Sequence, residues 1–421
     1  MVRRVLMIAY HFPPMQGSSG IQRTLKFAQY LPQHGWEAII LSVNLRAYAA
    51  TSTGQLPEIN AAMTVRRSFA LDAARHMALG GRYPAWLALP DRWSSWWLSA
   101  VPAGLRLIRQ YRPDVIWSTY PIATAHLIAL TLQRLSGLPW IADQRDPMSE
   151  NNGGKPYPAD ARTRRLHQWL EHNIAEHSAA VVCTTPGAMG NYRARFPQLE
   201  DRLSLIENAY DESNFTLAGA TPAAARQPGA PFKLLHSGIL YPSERDPSAL
   251  FEALAKLRDD NAIGAHDFQL LLRASGHDRY LRGMLQQFAI EDLVQLAPTL
   301  PYQAALADML DADGLLLLQA AHCNHQIPAK LYEYLRARRP LLALTDLAGD
   351  SAAKLRSCGI DTIAPLNSPA GIAHALPRFL ALARSHQAPL ADSDTIAQQS
   401  RQARTTVLAG LLDRISHRET P

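Results

Sequence analysis

Between Thr216 and Ser237 the chain reads TLAGATPAAARQPGAPFKLLHS, and this stretch decides how everything else is divided. Through Pro231 it is rich in Ala, Pro, Gly and Thr and carries neither the helical nor the strand period, so it reads as a linker. At Lys233–Ser237 a short apolar run restarts an alternation of apolar segments and helical patterns that has already run once from the amino terminus. A pattern that stops and restarts implies two domains. The expected boundaries are 1–215 for the first domain, 216–231 for the linker and 232–393 for the second. A last helical pattern, Asp394–Arg414 within 394–421, is expected to be one helix that packs back on the first domain.

Outward from the linker, strands are expected near Val5–Ala9, Ala38–Val43, Val115–Ser118, Trp140–Asp143, Ala179–Thr184 and Leu203–Ile206. Helices such as Ile21–Tyr30, Trp96–Gln110, Thr124–Leu135 and Arg162–His177 fall between them. After the linker, strands at Lys233–Ser237, Gln269–Ala274, Gly314–Leu318 and Leu341–Leu344 alternate with helices at Ser248–Arg258, Gln303–Leu310 and Pro328–Ala337. Strand–helix alternation of this kind builds parallel sheets covered by helices. Two such halves leave a cleft at the carboxyl ends of both sheets, where α/β folds bind their ligands.

The bulk properties agree. A chain of 421 residues exceeds what one hydrophobic core serves. With 47% hydrophobic and 19% charged residues it is globular rather than disordered. No apolar run approaches the roughly 18–20 residues that span a bilayer. The opening MVRRVLMIAY lacks a small-residue cleavage site and runs straight into His11-Phe12-Pro13-Pro14, so it reads as a buried first strand and not as a signal peptide. Cys183, Cys323 and Cys358 show no metal-ligand spacing, so no metal site is expected. Their scatter places the protein in a reducing compartment, the cytoplasm. A formal charge of +6 suits an anionic membrane surface or a phosphorylated substrate, with a solvated Arg-rich surface as the plain alternative. No basic cluster with interleaved aromatics matches a nucleic-acid module, so no nucleic-acid partner is expected.

Four segments carry chemistry. In His11–Lys26, Gly17, Ser18, Ser19 and Gly20 stand where a strand turns into a helix, so the backbone can approach a ligand and the helix-start amides can meet an anion or a hydroxyl. The spacing is not GxGxxG, and an ordinary tight turn is the other reading. Trp140–Pro147 ends a buried strand in Asp143-Gln144-Arg145-Asp146, charges that point into a cleft unless Asp and Arg simply pair internally. His236–Pro247 places Gly238 at a close turn and Arg245 within reach of a diphosphate. Ile327–Pro340 opens a helix at Pro328, aims the amides of Ala329 and Lys330 at a phosphate, adds the Lys330 charge, and sets Glu333 one turn later to accept ribose hydroxyls. The alternative there is an exposed Lys–Glu pair on an amphipathic helix.

Together these segments resemble the family 4 glycosyltransferases of GT-B fold, in particular bacterial polysaccharide-type members. FPPMQGSSGIQRTLKFAQYLPQHGW, from Phe12, is similar to the family's opening, and the Asp-x-Arg-Asp-Pro run to its sugar-facing segment. Asn208–Phe215 is similar to its N-G-x-D-x-x-x-F element, with Ala209 where glycine is usual. Gly238 to Arg245 resembles the G-R-L-x-x-x-K/R element with Ile239 where a basic residue is usual. Glu333 takes the place of the second glutamate of E-x7-E, and His325 stands at the first. The resemblance runs from Arg4 to about Arg414. It implies two Rossmann-like domains facing each other across a cleft, and retaining transfer of a sugar from a nucleotide-diphosphate-sugar to a saccharide or lipid-linked acceptor in cell-surface polysaccharide or lipopolysaccharide synthesis. The donor is a UDP-sugar first, a GDP-sugar next, with no obligatory cofactor. The implied catalytic residues are Asp146, Arg245 and Lys330. Gly17, Ser18, Ser19, Gly20, Arg23, Asp143, Gly238, His325, Ala329 and Glu333 bind substrate or donor. A nucleotide-sugar 2-epimerase of the same fold is the alternative enzyme. His325 and Ile239 motivate a non-catalytic binding subunit as the alternative from another class.

Tyr83–Trp97 holds four of the eight tryptophans beside Arg82 and Arg92. Amphipathic aromatics next to cations suit peripheral contact with the inner face of an anionic membrane, and core packing is the other reading.

Overall fold

The computed structural model describes residues 2–17, 20–60, 63–152, 155–219 and 229–417. The chain divides into two compact units, one of residues 1–208 with 401–421 and one of residues 209–400. Ser18, Ser19 and most of the expected linker lie outside the described residues.

The first unit is built on β1 (Arg3–Ile8), β2 (Trp36–Val43), β3 (Thr64–Ser68), β4 (Val115–Thr119) and β5 (Trp140–Arg145), followed by a hairpin of β6 (Glu150–Asn152) and β7 (Lys155–Tyr157), and by β8 (Ala180–Cys183) and β9 (Leu203–Leu205). Its parallel sheet has the order β3-β2-β1-β4-β5-β8-β9. The strands reverse direction of progression at β1/β4, which is the switch point of a doubly wound fold. Near-continuous apolar strands are what such a sheet demands, because helices cover both faces. Leu6 and Ile8 pack with Ile39, Ile116 and Ala142 on one face. Val5 and Met7 pack with Trp117 and Ile141 on the other, where Leu408, Leu411, Leu412 and Ile415 of the last helix complete the layer. The Trp36 indole N–H donates to Asp413 over 2.7 Å.

The second unit has β10 (Phe232–Ser237), β11 (Phe268–Arg273), β12 (Val294–Ala297), β13 (Gly314–Leu318), β14 (Leu341–Leu344) and β15 (Ile363–Ala364), in the parallel order β12-β11-β10-β13-β14-β15 with its switch point at β10/β13. Leu315, Leu316 and Leu317 have no exposed surface. This is the fully buried central strand that the run Gly314–Leu318 foreshadows.

The tail expected as one helix is two, Ser393–Gln398 and Arg401–Ser416. They break where the Gln399 carbonyl accepts from the Tyr210 amide and Ser400 bridges Tyr210, at the junction of the two units. The start of the expected linker is helical as well. Glu212–Gly219 forms a helix whose Asp211 carboxylate accepts from the Asn214 amide over 3.3 Å and whose Phe215 and Ala218 are buried.

Candidate functional site

The second unit gathers cations at its switch point. β10 ends in Ser237, and Gly238 follows with φ +114°, a conformation that glycine takes without penalty. Its amide donates to the Arg273 carbonyl over 2.9 Å. A side chain there would also collide, because a Cβ on Gly238 would lie 2.8 Å from Lys330 Nζ. The glycine therefore makes room for the lysine.

Lys330 belongs to the helix Ala329–Ala337, which Pro328 opens and no side chain caps. Proline at that point sacrifices nothing, since the first helical amides lack intrahelical acceptors anyway. The first-turn amides at Ala329 and Lys330 thus sit at the positive end of the helix dipole. Lys330 Nζ lies 3.2 Å from His236 Nε2. Burial, reinforced by the Arg245 charge and opposed by Glu333, brings the Lys330 amine down to about 7. Arg245 donates to the Ile239 carbonyl over 3.0 Å and lies 5.5 Å over the Tyr241 ring. Glu333, partly buried, accepts from the Tyr302 hydroxyl over 2.9 Å. Gly238, Lys330, Arg245 and Glu333 are therefore one interacting group at the end of one sheet. His325 is exposed in the turn before Pro328, and its neighbour Asn324 donates to Asp346 over 2.7 Å.

In the first unit, Arg23 and Asp143 are 1% and 0% exposed and face one another. Arg23 donates to both carboxylate oxygens of Asp143, over 2.8 and 2.6 Å, and to the carbonyls of Ile206 and Glu207. Thr119 donates to Asp143 over 2.7 Å. The Asp143 carboxylate is thus engaged by Arg23, a partner from outside the Asp143–Asp146 run within which the sequence allowed an internal Asp–Arg pair. β5 and β8 lose register between Asp143 and Arg145, and Arg145 takes φ +61°, unusual for a non-glycine residue and a place where strain tends to sit beside function. Asp146 follows, partly exposed. The residues after it are clamped. The Glu171 carboxylate, 1% exposed, accepts from the Met148 amide over 2.9 Å, the Tyr192 hydroxyl over 2.8 Å, the Ser149 hydroxyl and Arg195. Gly17 has φ +86° with open space where a Cβ would stand, and Gly20 is the buried first residue of the helix Gly20–Tyr30. His236, Tyr302 and Tyr334, which lie in or beside the segments quoted above, take part in this geometry without an expected role. The leading histidine of His236-Ser-Gly238 was the available signal.

Of the clustered tryptophans, Trp96 is fully buried and donates to Ser68 over 2.9 Å, Trp97 donates to Thr131 over 2.9 Å, and Trp93 lies 4.6 Å from the Tyr10 ring. These three belong to the core. Trp86 alone of the four is exposed, at 69%, and three further apolar side chains of the same region, Phe69, Leu79 and Leu98, are exposed as well. Arg82, Arg106 and Arg109 are exposed nearby in the sequence.

Residues 19–209 match the Glycosyl transferase 4-like domain family. No curated protein matches the chain. Among solved structures, sucrose-phosphate synthase from Thermosynechococcus elongatus superposes with a TM-score of 0.69 at 15% identity, covering 98% of this chain and 99% of that one. Anabaena HepE in complex with UDP and glucose gives 0.63 at 13%, covering 98% and 100%. A putative UDP-N-acetylglucosamine 2-epimerase from Listeria monocytogenes gives 0.58 at 11%, covering 99% and 98%. The fold is GT-B, and residues 19–209 are similar to a glycosyltransferase 4-like domain.

Proposed function

We propose that the chain is a retaining glycosyltransferase that takes a sugar from a nucleotide-diphosphate-sugar, UDP-linked in the first instance, and passes it to a saccharide or lipid-linked acceptor. The observation that carries this reading is the Gly238–Lys330 arrangement: a lysine folded over a bare glycine, at the mouth of an uncapped helix, with Arg245 beside it. Such a cluster favours a group that brings two or more negative charges, and a diphosphate does. As the glycosidic bond breaks, charge grows on the leaving diphosphate, and preorganised cations and amides stabilise that charge more than they stabilise the ground state. Lys330 and Arg245 supply the cations, Ala329 an amide, Glu333 an acceptor for ribose hydroxyls, and Asp146 a carboxylate for the transferred sugar.

A thermal-shift screen of the full chain against UDP, GDP, ADP and their sugars tests the reading. A ligand at a hundred times its Kd adds about 2.7 kcal/mol to the folded state, so at least one nucleotide should raise Tm by several degrees. No shift with any of them would overturn the donor site. The likeness to a 2-epimerase fold supplies the second reading, and the two separate cleanly: a transferase releases the nucleotide only when acceptor is added, whereas an epimerase alters the sugar with no acceptor present.

The exposed Phe69, Leu79, Trp86 and Leu98, in a region carrying Arg82, Arg106 and Arg109, favour an anionic lipid surface as the site where a lipid-linked acceptor is met. Among the described residues no helix is long and apolar enough to cross a membrane, so this contact is peripheral in our reading. Flotation with vesicles containing an anionic lipid should carry the protein upward, and Trp86→Ser with Leu98→Ser should reduce the floated fraction several-fold. Equal recovery with neutral and anionic vesicles, or none with either, would remove the proposal.

A further inference from the structure

We propose that His236 is the positioning residue that holds the Lys330 ammonium over Gly238 and aims it at the donor diphosphate, an inference that rests on the donor-site reading above. His236 is wholly buried at the carboxyl end of β10. The β10–β13 pairing covers Leu234–Gly314 and Leu235–Leu315. Beyond it, side chains take over the backbone bonding. The Ser237 amide donates to the Tyr334 hydroxyl over 2.9 Å, and His236 Nδ1 lies 2.9 Å from the Leu316 carbonyl.

A carbonyl oxygen only accepts, so Nδ1 carries the proton. Burial and the neighbouring Lys330 charge push His236 well below its ordinary range, which keeps the ring neutral and leaves Nε2 as a lone pair. An ammonium has three donors and no acceptor, so across the 3.2 Å contact Lys330 must be the donor. One of its three N–H groups is thereby fixed, and two remain for a ligand. The charged groups around the amine are Arg245, from the loop after β10, and Glu333, from the lysine's own helix. His236 differs from both because it orients the amine without adding or cancelling charge. A carboxylate at this position would hold the lysine as firmly but neutralise it toward a phosphate.

The test is calorimetric titration of the full-length protein with UDP-glucose and with GDP-mannose, for wild type, His236→Leu, His236→Gln, Lys330→Met and the His236→Leu/Lys330→Met double variant. By analogy with the outer partners of metal ligands, His236→Leu should weaken binding about tenfold to a hundredfold. Glutamine can donate to the Leu316 carbonyl and accept from Lys330, so His236→Gln should recover most of that loss. On the Lys330→Met background, His236→Leu should cost little more, because its effect passes through the lysine. A merely structural histidine would instead weaken both backgrounds equally. The pH at which affinity falls as Lys330 loses its proton should also move down in His236→Leu, since the lost acceptor had favoured the charged amine. Wild-type affinity in His236→Leu, or losses that multiply in the double variant, would overturn the proposal while leaving the donor site standing. Absence of binding by the wild type to both of these and to every nucleotide and sugar nucleotide of the thermal-shift screen would remove the donor site and the inference with it. If His236→Leu does not fold, His236→Phe keeps a ring in the space and serves the same cycle.

Discussion

Lys330→Ala is expected to lower kcat/KM for the nucleotide-sugar by about two to three orders of magnitude, the range found when one preorganised transition-state donor is removed. The protein should stay folded, with Tm unchanged or slightly raised, because the fold holds this amine at about 7 against an ordinary value of 10.5. The sign of the pH dependence follows. The free enzyme binds donor with the amine charged, and the charged fraction falls as pH rises through about 7. Wild-type kcat/KM, which reports the free enzyme, should therefore decline on the alkaline side of that region. A bound diphosphate favours the charged amine, so kcat should hold to higher pH. Lys330→Ala should lose the limb altogether. Initial-rate kinetics between pH 6 and 9, with circular dichroism to check folding, decides the matter. Normal turnover by the variant would refute the role.

The second large effect concerns stability. Asp143→Ala leaves the Arg23 guanidinium buried with no carboxylate, and breaking a buried pair by removing one partner typically costs about 3–5 kcal/mol. For a unit of this size each kcal/mol shifts Tm by about 2–4 °C, so the transition of the first unit should fall by on the order of 10 °C. Replacing both partners, with Arg23→Met and Asp143→Leu, should recover much of the loss, because well-packed apolar residues often match a buried ion pair. Differential scanning calorimetry of the three variants measures this. An unchanged transition in Asp143→Ala would mean that the pair does not hold the unit together.

The central strands were legible because burial on both faces leaves a continuous apolar run, as in β1, β10 and β13. Of the edge strands, β9 was read, at Leu203–Ile206, whereas β3, β12 and β15 were not. β3 reads Thr-Val-Arg-Arg-Ser and, among the described residues, pairs with β2 alone; β12 there pairs only with β11, and β15 is two residues long. With one side of each left without a strand, apolar periodicity is too thin to read. The helix opening at Pro328 was legible from local chemistry, since proline, a lysine two residues on and a glutamate three after that are all encoded within six residues. Arg23 and Asp143 were recognised as residues of interest, but their mutual contact spans 120 positions and no local pattern reports it. Trp93 lies in the turn before the helix Trp96–Tyr111, so the three tryptophans at 93, 96 and 97 are covered by tertiary packing that neither their composition nor a single helical period reports. His236 was hidden for a different reason: its value lies in a tautomer set by a carbonyl of another strand.

The most direct measurement is a crystal structure of the protein with UDP-glucose or whichever sugar nucleotide raises Tm. Diphosphate oxygens are expected at hydrogen-bond distance, about 3 Å, from Lys330 Nζ and from the first amides of the helix Ala329–Ala337, with the Gly238 backbone directly beneath. A diphosphate seated away from that helix end, with Lys330 still turned onto His236 and touching no ligand, would contradict it.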